Sequence, residues 1–179
     1  DDAAGEAFDK VSKMLNLGYP GGPIVEKKAK LGNSSAHHFP RAFLEKNSLD
    51  FSFSGLKTSV RNIISKRKEL SGPSFSDEDI AASFQSAVIE VLSSKLVLAC
   101  KQQNINRVVV TGGVAANQAL RHSVKVECDK NGFQYFFPKP IYCTDNAAMI
   151  ACAGYYNSRN SFPVVNDFLS LDASSAKGL

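Results

Sequence analysis

Ala7, Val11, Met14 and Leu15 recur at helical spacing over residues 3–16, and Gly18 with Pro20-Gly21-Gly22-Pro23 ends that helix. Ile24, Val25 and Ala29 predict a second short helix over about 23–31, closed by Gly32-Asn33-Ser34-Ser35, and His37-His38-Phe39-Pro40 reads as loop. Leu49-Asp50-Phe51-Ser52-Phe53 alternates apolar with polar residues, the pattern of a half-buried strand. Ser54-Gly55 then leads into a helix with Leu56, Val60, Ile63 and Ile64 on one stripe. Lys66-Arg67-Lys68 complements the negative end of that helix, and Ser71-Gly72-Pro73-Ser74 breaks the chain.

Ser76 predicts the cap of a long helix, with Asp77, Glu78 and Asp79 in its positive first turn and an apolar stripe from Ile80 to about residue 103. Val108-Val109-Val110 has the pattern of a short strand covered on both faces. Thr111-Gly112-Gly113-Val114-Ala115-Ala116-Asn117 joins it to a helix over about 116–130, closed by a left-handed cap at Asn131-Gly132. Phe133 to Phe137 is the next predicted strand, ended by Pro138-Lys139-Pro140. Thr144 or Asp145 can cap a last helix containing Ala148, Met149, Ala151, Cys152 and Tyr155, and an irregular tail follows from about Asn160.

Composition adds bounds. The chain has 179 residues, 44% apolar and 21% charged, which is ordinary for a globular protein. At this size roughly 70% of the unfolded surface can be buried, so no metal is needed merely to hold the fold. A net charge of +4 permits an anionic partner without demonstrating one. Cys100, Cys128, Cys143 and Cys152 form no C-x-x-C pair and read as buried reduced thiols, which points to the cytosol. No apolar run approaches the 18 or so residues of a membrane span and no signal-peptide pattern opens the chain, so no membrane association is expected. Asp1 to Lys10 starts inside what looks like a site motif, without a Met, and a fragment is the expectation.

Three clusters carry possible chemistry. A buried strand running into Gly112-Gly113 lets backbone N–H groups approach an anion at a helix start, although a plain tight turn has the same form. Asn117, one turn on, offers both a donor and an acceptor to a nucleoside. Asp145 in Cys143-Thr144-Asp145-Asn146 is either a helix cap or a hard oxygen ligand for a divalent metal, with no obvious companion ligands. His37, His38 and His122 lack the H-x-x-x-H spacing that sets two imidazoles on one helix face. Glu6, Asp9, Lys10, the Pro-Gly-Gly-Pro turn and Glu26 can bind ribose hydroxyls beside a flat ring. By spacing alone that third cluster reads rather as a charged helix face with a C-cap.

Taken together, DDAAGEAFDK, LGYPGGP, LDFSFSGLKT, VTGGVAANQALR and CTDNAAMIA resemble, in order and wording, the C-terminal half of the TsaD family, also called Gcp or YgjD. The resemblance covers residues 1 to about 156. It implies an α/β fold of the actin/Hsp70-like ATPase type, in which two ribonuclease-H-like lobes enclose a nucleotide. Residues 1–75 would be a helical region and inter-lobe insertion bordering the cleft, 76–158 the α/β part of the C-terminal lobe, and 159–179 an irregular tail. The activity implied is transfer of threonylcarbamoyl from threonylcarbamoyl-AMP to N6 of adenosine 37 in tRNAs reading codons that start with A. Asp9, Gly22, Glu26 and Asn117 would contact the donor's nucleoside, Gly112 and Gly113 would line its phosphate, and Asp145 would be a metal ligand. The cleft would hold threonylcarbamoyl-AMP or ATP/ADP with one divalent metal, iron or zinc.

The partners implied are tRNA, the missing N-terminal half, a paralogous TsaB-type subunit and a TsaE-type ATPase, in the cytoplasm. Lys57, Arg61, Lys66, Arg67 and Arg121 are candidates for tRNA contact by charge. The metal histidines of this family lie in the half this sequence lacks, so the isolated chain is expected to be inactive. The family's older endopeptidase label finds no H-E-x-x-H string here. A phosphotransferase or partner-binding pseudoenzyme of the same superfamily would share the Gly-Gly turn but not AGEAFDK, SFSGLKT and CTDN together, and Asp145 argues against the TsaB-type paralogue.

Overall fold

A computed structural model describes residues 2–43, 47–67 and 75–159. The chain divides into two compact units, Asp1–Thr144 and Asp145–Leu179.

The first unit is built on one long helix. Ser76 Oγ accepts the Asp79 N–H at 3.0 Å while Asp79 Oδ2 accepts the Ser76 N–H at 3.4 Å, a reciprocal cap that satisfies two donors with no helical partner. Counted in chain order this helix is α4, Asp77–Gln103, and it ends at Asn104 in the left-handed conformation, φ 52°. An 18-residue window of α4 is long and apolar enough to cross a membrane, contrary to the expectation that none is. Two-thirds of that window (67%) is buried inside the protein, the position of a core helix.

Against α4 pack α1, Ala4–Met14, and α2, Gly21–Ala29, with Phe8 of α1 edge-on to Phe84 of α4 at 5.1 Å between ring centres. Ile80, Phe84 and Val88 of α4 join Phe8, Val11 and Val25 in one core cluster. Helix α2 begins at Gly21, two residues before the predicted start, with Pro20 in the N-cap position. α3, Ser54–Arg67, buries Leu56 and Val60, as its stripe predicts. The breaker at residues 71–74 and Lys68 lie outside the described residues.

Residues 49–53 are not a strand, because the sheet of this unit offers them no neighbour. They are held by side chains instead. The buried Lys95 of α4 donates to the Asp50 carbonyl and sits 5.5 Å from the centre of the Phe51 ring, which stacks on Phe53 at 6.3 Å. Alternation of apolar residues also suits such a tethered segment.

The sheet has two parallel strands, β1 (Arg107–Val109) and β2 (Gln134–Phe136), paired Val108 to Tyr135 and joined through α5, Gln118–Asn131. Leu120, Val124 and Cys128 of α5 cover the side of the sheet that carries Val108 and Tyr135. On the other side Val109 is 69% exposed and Phe136 53% exposed, so the strand expected to be covered twice is covered once. The α/β organisation holds locally here, while the unit as a whole is mostly helical. Gly132 caps α5 with φ 70°, as Asn131-Gly132 predicts.

The second unit contributes α6, Ala147–Arg159, none of whose residues is buried. Its cap is neither Thr144 nor Asp145: Asn146 Oδ1 accepts the Met149 N–H at 3.1 Å. The tail from Asn160 lies outside the described residues. Cys100, Cys128 and Cys143 are buried thiols, but Cys152 on α6 is exposed, contrary to expectation. Burial pushes the Cys100 and Cys128 thiols up from their ordinary value.

Candidate nucleoside pocket

The start of α2 lies against α1 at unusual closeness. A Cβ on Gly21 would sit 2.6 Å from Asp9 Cα and 2.6 Å from the Phe8 carbonyl oxygen, so only glycine fits. Asp9 Oδ1 accepts the Gly21 N–H at 2.7 Å and fixes this approach. At Gly22, by contrast, a Cβ would meet nothing within 4 Å, and this residue faces a cavity.

That cavity, about 280 Å³, brings Asp9, Gly22, Glu26, Gly113 and Asn117 to one place. Its apolar walls are Phe8 and Gly5 of α1, Pro20 and Pro23 around the α2 start, and Val114 and Ala116. Of these six, sequence reasoning placed only Pro20 and Pro23 at the site, as parts of the Pro-Gly-Gly-Pro turn, and it did not name Thr144 as a lining residue. Phe8 could have been found from helical spacing, since Gly5, Phe8 and Asp9 stand at i, i+3 and i+4 and so share one face of α1.

Gly112 adopts φ 91°, a conformation that favours glycine, and directs the chain from β1 into a 3-10 turn, Gly113–Ala116. Gly112 itself lines a neighbouring cavity against α4, so of the two glycines only Gly113 reaches the nucleoside pocket. Asn117 is 7% exposed; its Oδ1 accepts the Leu120 N–H at 3.0 Å as the cap of α5, and its Nδ2 donates to Gln85 Oε1 at 2.7 Å. Glu26 Oε1 accepts the Gln118 N–H at 2.9 Å, and Lys30 Nζ lies 3.7 Å from the same oxygen. Asp9 and Glu26 thus each commit one oxygen to the scaffold. The other oxygen of each takes part in no hydrogen bond or ion pair among the described residues.

Arg121 locks the turn from behind. Its Nε donates to the Ala115 carbonyl and its Nη2 to the Pro138 carbonyl, both at 2.7 Å, with the guanidinium 4.8 Å from the Phe137 ring centre. A charge that suggested RNA contact is spent on internal carbonyls. Glu6 and Lys10 pair with each other at 2.5 Å and do not line the pocket. His37 packs edge-on to Phe39 at 4.5 Å and Phe75 at 5.4 Å, and burial pushes its pKa down. Asp145 opens the second unit. Among the described residues no three His, Cys, Asp or Glu side chains converge as a metal site.

An apolar slot with carboxylates at its rim and a glycine turn beside it suits a nucleoside, and here the relatives decide. Residues 1–152 match the family described as TsaD, tRNA N6-adenosine threonylcarbamoyltransferase. The chain belongs to the TsaD family. The tRNA N6-adenosine threonylcarbamoyltransferase of Clostridioides difficile (strain 630) is 54% identical over 160 residues, 89% of this chain and 47% of that protein. Its counterpart in Clostridium beijerinckii is 52% identical over 157 residues, 88% of this chain and 46% of that one. The chain therefore spans about half the length of the TsaD relatives it matches.

Among solved structures, full-length HypF in the phosphate- and nucleotide-bound form aligns with a TM-score of 0.67 at 18% identity, over 90% of this chain and 21% of that one. At that identity the likeness concerns the fold alone. The two TsaD relatives named above carry the transferase name, not that of a phosphotransferase.

Proposed function

We propose that this chain is the C-terminal part of a tRNA N6-adenosine threonylcarbamoyltransferase of the actin/Hsp70-like type and forms the wall of its cleft that holds the adenosine of threonylcarbamoyl-AMP. The observation that carries this reading is the meeting of Asp9, Gly22, Glu26, Gly113 and Asn117, which lie up to 108 residues apart (117 − 9), around one apolar slot.

The purine slides between Phe8, Pro20 and Pro23 on one side and Val114 on the other, where the missing Cβ of Gly22 leaves room for its face. The free oxygens of Asp9 and Glu26 accept the ribose hydroxyls; these are charge-assisted bonds and orient the sugar. The Gly113 backbone and the Thr144 hydroxyl lie toward the phosphate. In the reaction the adenine N6 amine of tRNA attacks the carbamoyl carbon, the bond to the phosphate oxygen breaks, and AMP leaves. This chain's residues bind and aim the leaving group, which lowers the entropic part of the barrier. The phosphate- and nucleotide-bound HypF fold supports a nucleotide in such a cleft.

The residues do not fit a metal centre by themselves, since Asp145 is one oxygen ligand and the described residues offer no set of three. The remaining ligands, iron or zinc, and the TsaB-type and TsaE-type partners in the cytoplasm, belong to the longer enzyme of the proposal. A transfer assay with cognate tRNA tests it: the 179-residue chain alone gives no threonylcarbamoyladenosine. Addition of the half that the relatives carry restores it, and product from the chain alone overturns the reading.

A further inference from the structure

The five cations that charge alone offers to RNA are not equivalent. Arg121 is consumed by the Ala115 and Pro138 carbonyls, and Arg67 pairs with Asp77 at 2.6 Å and donates to the Phe75 carbonyl at 3.2 Å. Lys57 is held by Asp2, which also takes Lys10 at 3.2 Å, while Glu6 takes Lys10 at 2.5 Å. Arg61 and Lys66 of α3 remain, both exposed and in no ion pair among the described residues, and on α1 the exposed Lys13 is in the same state.

Arg61 and Lys13 line two grooves that have Lys10 in common. A groove of about 250 Å³ between α1 and α3 is lined by Lys10, Lys57 and Arg61 with the Ser54 and Thr58 hydroxyls. Lys10 also lines a second groove, of about 540 Å³, with Lys13, Asn16 and Tyr19. Asp9 lines both that second groove and the nucleoside pocket, so the groove lies next to the place where the donor would sit. Of the nearby carboxylates, Asp2 and Glu6 are engaged with Lys57 and Lys10, and Asp9 gives one oxygen to the Gly21 N–H.

Tyr19 at the end of this track is 82% exposed. An exposed aromatic ring beside cations that have no ion pair among the described residues is the combination that receives single-stranded RNA, bases on the ring and phosphates on the charges. Duplex RNA, whose bases are stacked inside, has no use for the ring. The reacting adenosine of the proposed substrate lies in the anticodon loop, which is single-stranded, and it must reach the donor pocket that this track adjoins.

We infer that the α1–α3 track from Tyr19 through Lys13 to Arg61 binds the anticodon loop of tRNA, one base stacked on Tyr19 and the flanking phosphates on Lys13 and Arg61. This rests on the transferase reading for the identity of the RNA.

The test is binding of a labelled anticodon stem-loop to the 179-residue chain across a salt series, beside AMP binding by the same preparations. For Lys13→Ala and Arg61→Ala the slope of log affinity against log salt should shrink by about 0.7 each. Tyr19→Ala should weaken binding about fivefold or more at every salt concentration with the slope unchanged, and Tyr19→Phe should bind as the wild type. A paired duplex of equal length should bind more weakly and ignore Tyr19→Ala. No RNA binding by the wild type, or wild-type affinity and slope in all three alanine variants, overturns the inference. Because these residues lie outside the contacts proposed for the nucleoside, AMP affinity stays constant throughout; failure of AMP to bind at all would count against the transferase reading and leave the RNA result to stand by itself.

Discussion

Glu26 Oε1 accepts the backbone N–H of Gln118 at 2.9 Å, and this bond ties α2 to the first turn of α5, 92 residues further along the chain. The two halves of the pocket are therefore joined by a carboxylate that also stands at its rim. Removal of that carboxylate is felt twice. In Glu26→Ala the Gln118 N–H loses its partner, a loss of about 1 kcal/mol, and AMP affinity falls with the ribose contact. In Glu26→Gln the amide oxygen keeps the Gln118 bond, so melting temperature recovers while AMP affinity does not. Calorimetric melts beside AMP titrations of both variants separate the two roles.

Gly21 and Gly22 are adjacent and do opposite things. Gly21→Ala drives a Cβ to 2.6 Å from backbone on α1 and should destabilise by about 3 kcal/mol. At this chain length that corresponds to a melting point lower by roughly 6–12 °C. Gly22→Ala meets nothing within 4 Å and leaves stability unchanged or slightly raised, yet it narrows the slot and weakens AMP binding. Equal melting loss in both variants would contradict this division.

Arg121 makes two 2.7 Å bonds to carbonyls that flank the glycine turn and lies flat against Phe137. A lysine carries the charge but not the fork or the plane. Arg121→Lys should cost about 3 kcal/mol in a denaturant titration and weaken AMP binding through the displaced turn, whereas RNA affinity should not change.

The start of α4 makes stability depend on pH. The Asn33 N–H, then the Ser76 cap, holds the Asp79 carboxyl below its ordinary value, and the Lys28 ammonium does the same to Glu78. A carboxyl with a lowered folded pKa binds fewer protons folded than unfolded, so its contribution is present above the unfolded pKa and is lost as pH falls through the lowered one. For Lys28, raised mainly by the Glu78 hydrogen bond, the contribution is present below its unfolded pKa and is lost as pH rises through the raised one. The melting difference between wild type and Asp79→Asn should be full near pH 6 and fade below about pH 4.

Much of this was legible in the chain. The Ser76 cap and acidic first turn mark α4, and Gly132 marks the end of α5, because those signals are local hydrogen-bonding requirements that no tertiary contact overrides. Leu49 to Phe53 misled because alternation is read as a strand only if a neighbour exists, and Lys95 of α4 supplies the tether instead. Val109 misled because a run of valines does not say which side will be covered. In the pocket the motif residues and the Pro-Gly-Gly-Pro turn were readable from the sequence, but the walls of Phe8 and Val114 were not, since they meet only when α1, α2 and the glycine turn converge. The resemblance singled out Gly22, which opens the slot, but nothing in the sequence showed that Gly21 is needed for packing.

An AMP titration of the 179-residue chain followed by the backbone amide resonances of each residue tests the central claim most directly. The account predicts saturable shifts concentrated at Gly22, Glu26, Gly113, Val114 and Asn117, with little change on the sheet face that carries Val109 and Phe136. Shifts centred elsewhere, or none at millimolar AMP, would contradict it.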